Sequence, residues 1–184
     1  MQDEENLARR AQQRDPEAFS QLYDSNFDKI YRYLAFRVGG QAEAEDLTQQ
    51  VFLKAWESIG SYRWQGTPFS SWLFRIAHNQ LVDHIRKRSK YRETPLEESQ
   101  GVSDSDLATL VDQKITLEQV VIASKRLTDA QQEVISLRFA GGLSIEEVAK
   151  AMGKTEGAVK VLQHSALRAL RKIMGHDEVS NDTP

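Results

Sequence analysis

Residues 143–172 read LSIEEVAKAMGKTEGAVKVLQHSALRALRK, and how this stretch folds decides the reading of the rest. Ser144 with Glu147 is a capping box that opens a short helix carrying Ile145, Val148, Ala149 and Met152. Gly153 supplies a tight turn, and Thr155 is placed to cap a longer helix reaching about Met174. Ala149 is small, as a close crossing of two helices requires. On the longer helix Val159, Leu162, Ala166 and Ile173 share one stripe, while Lys160, His164, Arg168 and Arg171 occupy the other face. This is the layout of a helix-turn-helix, whose second helix enters the major groove by its N-terminal turns. The candidate base readers are therefore Glu156, Gly157, Lys160, Val161 and His164, with Thr155 at the cap; Lys154, Arg168 and Arg171 are candidate phosphate contacts. A plain helical hairpin with a solvated basic face would show the same pattern. The motif alone does not say what kind of DNA binder carries it.

Upstream the signals are also helical, and the fold class expected is all-α. Asp15-Pro16 reads as an N-cap with proline at the first helical position, followed by Phe19, Leu22, Tyr23, Phe27, Ile30, Tyr31, Leu34 and Val38 before Gly39-Gly40. A second helix is expected over about residues 42–59, a loop over 60–68 and a third helix from near Phe69. Thr128 with Gln131 predicts another capped helix, through Phe139 to Gly141-Gly142, after a shorter one over about 117–125. Residues 93–112 switch to Glu, Ser, Asp, Gln, Gly and Pro, the composition of a linker. The organisation expected is thus two small helical domains, 1–92 and 116–175, joined by an acidic flexible linker over 93–115, with a disordered tail over 176–184.

Net charge is only −3, but the average hides a pattern. Between residues 75 and 92 the basic side chains are Arg75, Arg86, Lys87, Arg88, Lys90 and Arg92 against the acid Asp83. Residues 93–112 carry acids and no Lys or Arg, and residues 154–172 are basic again. Two basic blocks flank an acidic bridge, and it is local charge that sets the field felt by a phosphate backbone. With no cysteine the chain has no disulfide, thiol chemistry or Cys-based zinc site. No apolar run approaches the roughly 20 residues of a membrane span, and the polar start MQDEENLARR is unlike a signal peptide, so a cytoplasmic location is expected. A metal enzyme would have to draw on His78, His84, His164 and His176. His78 and His84 lie on different faces of a helix, and no H-E-x-x-H pattern occurs. Neither catalysis, metal nor cofactor is expected.

Residues 61–88, SYRWQGTPFSSWLFRIAHNQLVDHIRKR, interleave Tyr62, Trp64, Phe69, Trp72 and Phe74 with Arg63, Arg75, Arg86, Lys87 and Arg88. Aromatics beside cations suit single-stranded DNA, where stacking contributes about 1–3 kcal/mol per base. Phe69 and Trp72 fall on the helix's apolar stripe and read as core; Tyr62 and Trp64 sit in the loop and read as exposed. Asn79 lies off the stripe, able to meet a base edge or water.

The run DLTQQVFLKAW (46–56), followed by FSSWLFRIAHNQLVDHIRKR (69–88) and then the helix-turn-helix, resembles bacterial RNA polymerase sigma factors of the extracytoplasmic-function (ECF) group, over about residues 17–172. The resemblance implies a protein that binds core polymerase and directs promoter recognition, melting and initiation. It implies docking of Asp46, Gln49, Gln50, Phe52, Leu53 and Trp56 on the clamp helices of the largest polymerase subunit, with Leu47 and Val51 internal. It implies −10 recognition as single strand by the loop 61–68, with Tyr62, Arg63, Trp64 and Gln65, together with Asn79, Arg86, Lys87 and Arg88. It further implies duplex −35 recognition by the last helix, a linker running through the polymerase toward the RNA exit path, and an anti-sigma partner. Many relatives carry Arg or Ser where this chain has Val161, Leu162 and Ser165. The alternative, a stand-alone helix-turn-helix regulator, would have no use for the 46–56 surface.

Overall fold

A computed structural model describes residues 2–63, 68–92 and 117–175. The linker and tail assigned from composition, and Trp64 and Gln65 of the loop, lie outside the described residues. Within them the chain is helical and contains no strand.

The first group comprises α1 (Gln2–Gln12), α2 (Pro16–Val38), α3 (Gln41–Ser58) with a 3-10 turn at Ile59–Ser61, and α4 (Phe69–Arg92). Asp15 caps α2 as expected, accepting from the backbone N–H of Glu17 at 3.0 Å and Ala18 at 3.3 Å. The hydrogen bond from Arg10, the Ala18 N–H and the other contacts hold its carboxyl below the usual carboxylate value against the opposing effect of burial. Gly39 closes the helix in the left-handed region, φ +78°, where its N–H returns to the carbonyl of Ala35 at 3.0 Å. Helix α1 was not foreseen. It buries Ala8 and Ala11, its Glu4 caps the start of α4 by accepting from the Phe69 N–H at 2.9 Å, and Gln12 holds the Tyr62 carbonyl at 2.6 Å.

The second group comprises α5 (Leu117–Ser124), α6 (Asp129–Ile135), a π-helical turn at Ser136–Ala140, α7 (Ile145–Met152) and α8 (Glu156–Ile173). Both capping boxes form: Thr128 with Gln131, and Ser144 with Glu147. The helix expected through Phe139 instead widens into the π turn after Ile135, with the Gly141 N–H bonded to the Ser136 carbonyl at 2.8 Å. Gly153 turns the chain at φ +62° between α7 and α8, and Thr155 caps α8 by accepting from the Ala158 N–H at 3.2 Å.

One apolar cluster runs through both groups. Tyr33, Leu34, Leu47, Val51, Phe69, Leu73, Phe74 and Leu81 of the first are continuous with Val134, Leu137, Leu143, Val148, Val159 and Ala166 of the second. The two groups are not separate beads: α7 packs along α4, and the π turn packs on α2. No described helix is long and apolar enough to cross a membrane.

Candidate nucleic-acid interface

Three surfaces carry the residues singled out from sequence. On α3, Asp46, Gln49, Gln50 and Leu53 recur at helical spacing and all face solvent. Leu53 is 61% exposed, an apolar side chain set beside the Gln50–Asp46 hydrogen bond of 2.6 Å. The opposite stripe, Leu47, Thr48, Val51, Phe52, Ala55 and Ile59, is buried. Phe52 therefore departs from the docking role given to it. It is 4% exposed, its ring 4.4 Å from that of Tyr23, because residue 52 falls on the inward stripe with 48 and 55. Trp56 lies between the two faces, edge-on to Phe19 at 4.9 Å and under the Arg14 guanidinium at 5.2 Å.

On α4, Arg75, Asn79, Val82 and Arg86 follow one another along an exposed face, and Lys87 and Arg88 are exposed at its end. Arg86 pairs with Asp83 at 3.1 Å and Arg88 with Glu43 at 3.1 Å; His84 contacts the same Glu43 carboxylate. Phe69 is buried and Trp72 half-buried, as the stripe predicted. Tyr62 is not the exposed loop aromatic expected. It is 4% exposed and packs edge-on against Phe69 at 5.5 Å and Trp72 at 5.2 Å. Burial, with the charges of Glu4 and Glu5, pushes its hydroxyl up to about 12. The unforeseen α1 supplies part of that cover, which is why loop composition alone misplaced the residue. Beside it a cavity of about 460 Å³ is lined by Arg63, Ser71, Trp72 and Arg75, and by Lys150 from α7. Arg75 and Lys150 were not assigned to this site from sequence. Arg75 was visible as part of the basic block, whereas nothing local could have brought Lys150 there.

On the helix-turn-helix, Lys154, Thr155, Glu156, Gly157, Lys160, Val161, His164, Arg168 and Arg171 are all exposed, while Val159, Ala166 and Leu170 are buried beneath them. Leu162 and Ile173 are half-buried at the edge of the same core. Val161 is 70% exposed, an apolar contact surface of the kind a thymine methyl group fits. Gln131 of α6 donates to the Ser165 hydroxyl at 2.9 Å and Arg138 to the Gln163 side-chain amide oxygen at 3.0 Å, so the helix is held from behind by polar clamps.

Between the groups the Glu133 carboxylate of α6 meets Tyr33 and Arg37 of α2 and His78 of α4. The Tyr33 hydroxyl donates at 2.8 Å, His78 Nδ1 lies at 2.9 Å, and Arg37 pairs with the other carboxylate oxygen. Burial pushes the Glu133 carboxyl up, but the His78 hydrogen bond, the Arg37 and His78 charges and the Tyr33 hydroxyl outweigh it and leave it below its ordinary value. The same hydrogen bond raises the His78 imidazole despite its partial burial. Among the described residues no group of three or more His, Cys, Asp or Glu side chains is arranged to hold a metal ion.

Residues 22–91 match the family described as sigma-70 region 2, and residues 125–172 match sigma-70 region 4. The chain is 42% identical to the ECF RNA polymerase sigma factor BldN of Streptomyces coelicolor, over 93% of this chain and 66% of that one. It is 33% identical to the ECF sigma factor SigX of Bacillus subtilis, over 86% of this chain and 84% of that one. Against the sigma factor RpoE solved with the anti-sigma factor NepR from Bartonella quintana, the TM-score is 0.69 at 25% identity, covering 87% of this chain and 98% of that one. CnrH, solved with the cytosolic domain of CnrY, shares the fold with a TM-score of 0.68 at 23% identity, covering 96% of this chain and 99% of that one.

Proposed function

From the premise that this chain belongs to the ECF RNA polymerase sigma factors, we propose that it works by dividing promoter recognition between its two ends. It binds core polymerase and directs it to promoters. The first 92 residues carry core binding and −10 recognition; residues 116–175 carry −35 recognition. The observation that bears most on this division is that two exposed faces, on α3 and on α8, fall one in each of the two matched regions.

The α3 stripe of Asp46, Gln49, Gln50 and Leu53, with the edge of Trp56, offers an apolar centre rimmed by polar groups, the anatomy of a docking surface. The exposed row on α8 suits duplex DNA: Lys154, Arg168 and Arg171 hold phosphates, which fix register, while Lys160, Val161 and His164 meet base edges. Arg63, Asn79, Arg86, Lys87 and Arg88, with Trp64 and Gln65, meet the −10 strand, and Arg75 joins them. Trapping bases as they leave the stack favours melting, because the strand is bound only when open. Polymerase holds both surfaces at promoter spacing, so each raises the effective concentration of the other. The chain itself performs no catalytic step, acts in the cytoplasm, and is restrained by an anti-sigma factor, the kind of partner present in the RpoE–NepR structure.

A titration of fluorescently labelled chain with sigma-free core polymerase tests this reading. A saturable complex that binds promoter DNA, where the chain alone binds weakly, is expected. Tight, sequence-specific duplex binding by the chain alone, with no complex with core, would instead make it a stand-alone regulator.

A further inference from the structure

Helix α1 ends in a turn that glycine normally makes. The Arg14 N–H returns to the Ala11 carbonyl at 3.0 Å and the Asp15 N–H to the Arg10 carbonyl at 3.2 Å, the paired bonds that close a helix through one left-handed residue. That residue is Arg14, at φ +64°. Every other left-handed position among the described residues is a glycine, at 39, 142, 153 and 175. A side chain in this conformation sets its Cβ close to the following carbonyl oxygen, a strain that glycine escapes. The local backbone therefore favours glycine at position 14, and the reason for arginine lies in where its side chain goes.

It goes to the end of α3. The Arg14 guanidinium donates to the Trp56 carbonyl at 2.7 Å and to the Glu57 carbonyl at 3.4 Å, and its central carbon stands 5.2 Å from the centre of the Trp56 ring. Trp56 and Glu57 belong to the last turn of α3, which has no basic side chain of its own. There carbonyls run short of donors and the helix dipole favours a cation. The indole also meets Phe19 edge-on at 4.9 Å, so two contacts set its plane. Arg14 is exposed, and its contacts compete with water, which leaves them a small share in stability. A strained residue making exposed contacts is poorly placed as a stabilising cap; backbone strain of this kind concentrates at functional sites. What Arg14 fixes is one half-buried indole beside the exposed row of Asp46, Gln49, Gln50 and Leu53.

We propose that Arg14 is a positioning residue for polymerase docking: from the turn between α1 and α2 it clamps the end of α3 and holds Trp56 in the orientation that core polymerase meets. The role rests on the proposed docking of α3 on core polymerase. A side chain already held before contact loses less freedom on binding, so the gain appears as affinity.

The test uses the full chain and sigma-free core polymerase, comparing the parent with Arg14→Gly, Trp56→Ala and the double variant. Arg14→Gly relieves the backbone while removing the clamp. It should melt no lower than the parent yet bind core more weakly, by roughly threefold to tenfold, the scale of ordering one side chain at an interface. In the Trp56→Ala background the same substitution should change nothing further, because the ring it acts through is gone. Fluorotryptophan incorporation gives a second readout by fluorine NMR, with Trp56→Phe assigning the Trp56 resonance among the three tryptophans. That resonance should move in Arg14→Gly, and Arg14→Lys, which keeps a cation near the ring, should restore part of both the shift and the affinity. An unmoved Trp56 resonance, an equal loss in the Trp56→Ala background, or a loss of affinity that tracks a lowered melting temperature would overturn the positioning role. So would parent-like affinity of Arg14→Gly where Trp56→Ala binds weakly, an outcome that leaves the docking face standing. Parent-like affinity of Trp56→Ala and Leu53→Ala alike would remove the docking face itself, and the positioning role with it.

Discussion

Arg37 on α2 and Glu133 on α6 form an ion pair that joins the two helical groups, with side chains only 7% and 5% exposed. Such a pair is weak evidence for stability as such, since both charges are stripped of water. Removing one partner is a different matter and typically costs about 3–5 kcal/mol, because the other charge stays buried alone. Glu133→Gln should therefore turn a single cooperative thermal transition into two, as the groups melt independently. One unaltered transition would contradict this.

The same pocket predicts a pH dependence. Glu133 faces Tyr33 and Arg37 from α2 and His78 from α4, with Asp129, Arg86 and Lys154 lining the adjoining cleft. The Glu133 carboxyl lies below its ordinary 4.5 when docked, so its contribution is present above that value and is lost as pH falls through the docked pKa. The His78 imidazole lies above its ordinary 6.5, so its contribution is full below 6.5 and is lost as pH rises through the docked pKa. Docking should be strongest between about 4.5 and 6.5 and weaken toward pH 8. His78 is 38% exposed, so the change is modest. Glu133→Gln should flatten the dependence, as read from the thermal transitions across pH.

On α3, two neighbouring residues should separate docking from folding. Leu53→Ala should weaken core binding by about tenfold, the scale of an interface contact contributing more than 1 kcal/mol, with the melting temperature unchanged. Combining a charge reversal at Asp46 with Gln49→Ala should act in the same direction. Phe52→Ala, by contrast, should destabilise the fold by about 3–5 kcal/mol through the cavity left against Tyr23 and Phe27. Unchanged affinity of a folded Leu53→Ala chain would remove the docking assignment from this face.

The residues of α8 should divide by role. Lys160→Ala and His164→Ala are expected to change −35 sequence preference, by about 1–3 kcal/mol at the base concerned. Arg171→Ala should weaken binding to all sequences alike and reduce the salt slope by about one. The comparison is a binding selection on randomised −35 elements at two salt concentrations. Identical preferences for all three variants would mean that a different face of α8 reads the DNA.

Much of this architecture was legible in local sequence. Capping boxes at Thr128 and Ser144, the Asp15 cap and the glycine turns at 39 and 153 set helix boundaries by short-range hydrogen bonding, which sequence records directly. The family resemblance likewise set Leu47 and Val51 inside α3, where both are buried. Three things were not legible. Helix α1 carries Leu7 as its one bulky apolar residue and is fixed by packing of Leu7, Ala8 and Ala11 and by Glu4 on α4, contacts distant in sequence. Tyr62 looked exposed because loop composition carries no trace of Phe69 and Trp72 closing over it. The Glu133 pocket joins residues from three helices, and an isolated Glu in a capped helix reads as a solvated charge.

The most direct test of the central claim is initiation itself. Sigma-free core polymerase is mixed with fragmented genomic DNA from the source organism, with and without this chain, and the 5′ ends of the transcripts are sequenced. The account predicts new start sites that appear only with the chain and share a −35 and a −10 element at fixed spacing. No chain-dependent starts, from a preparation that is folded and binds core, would contradict it.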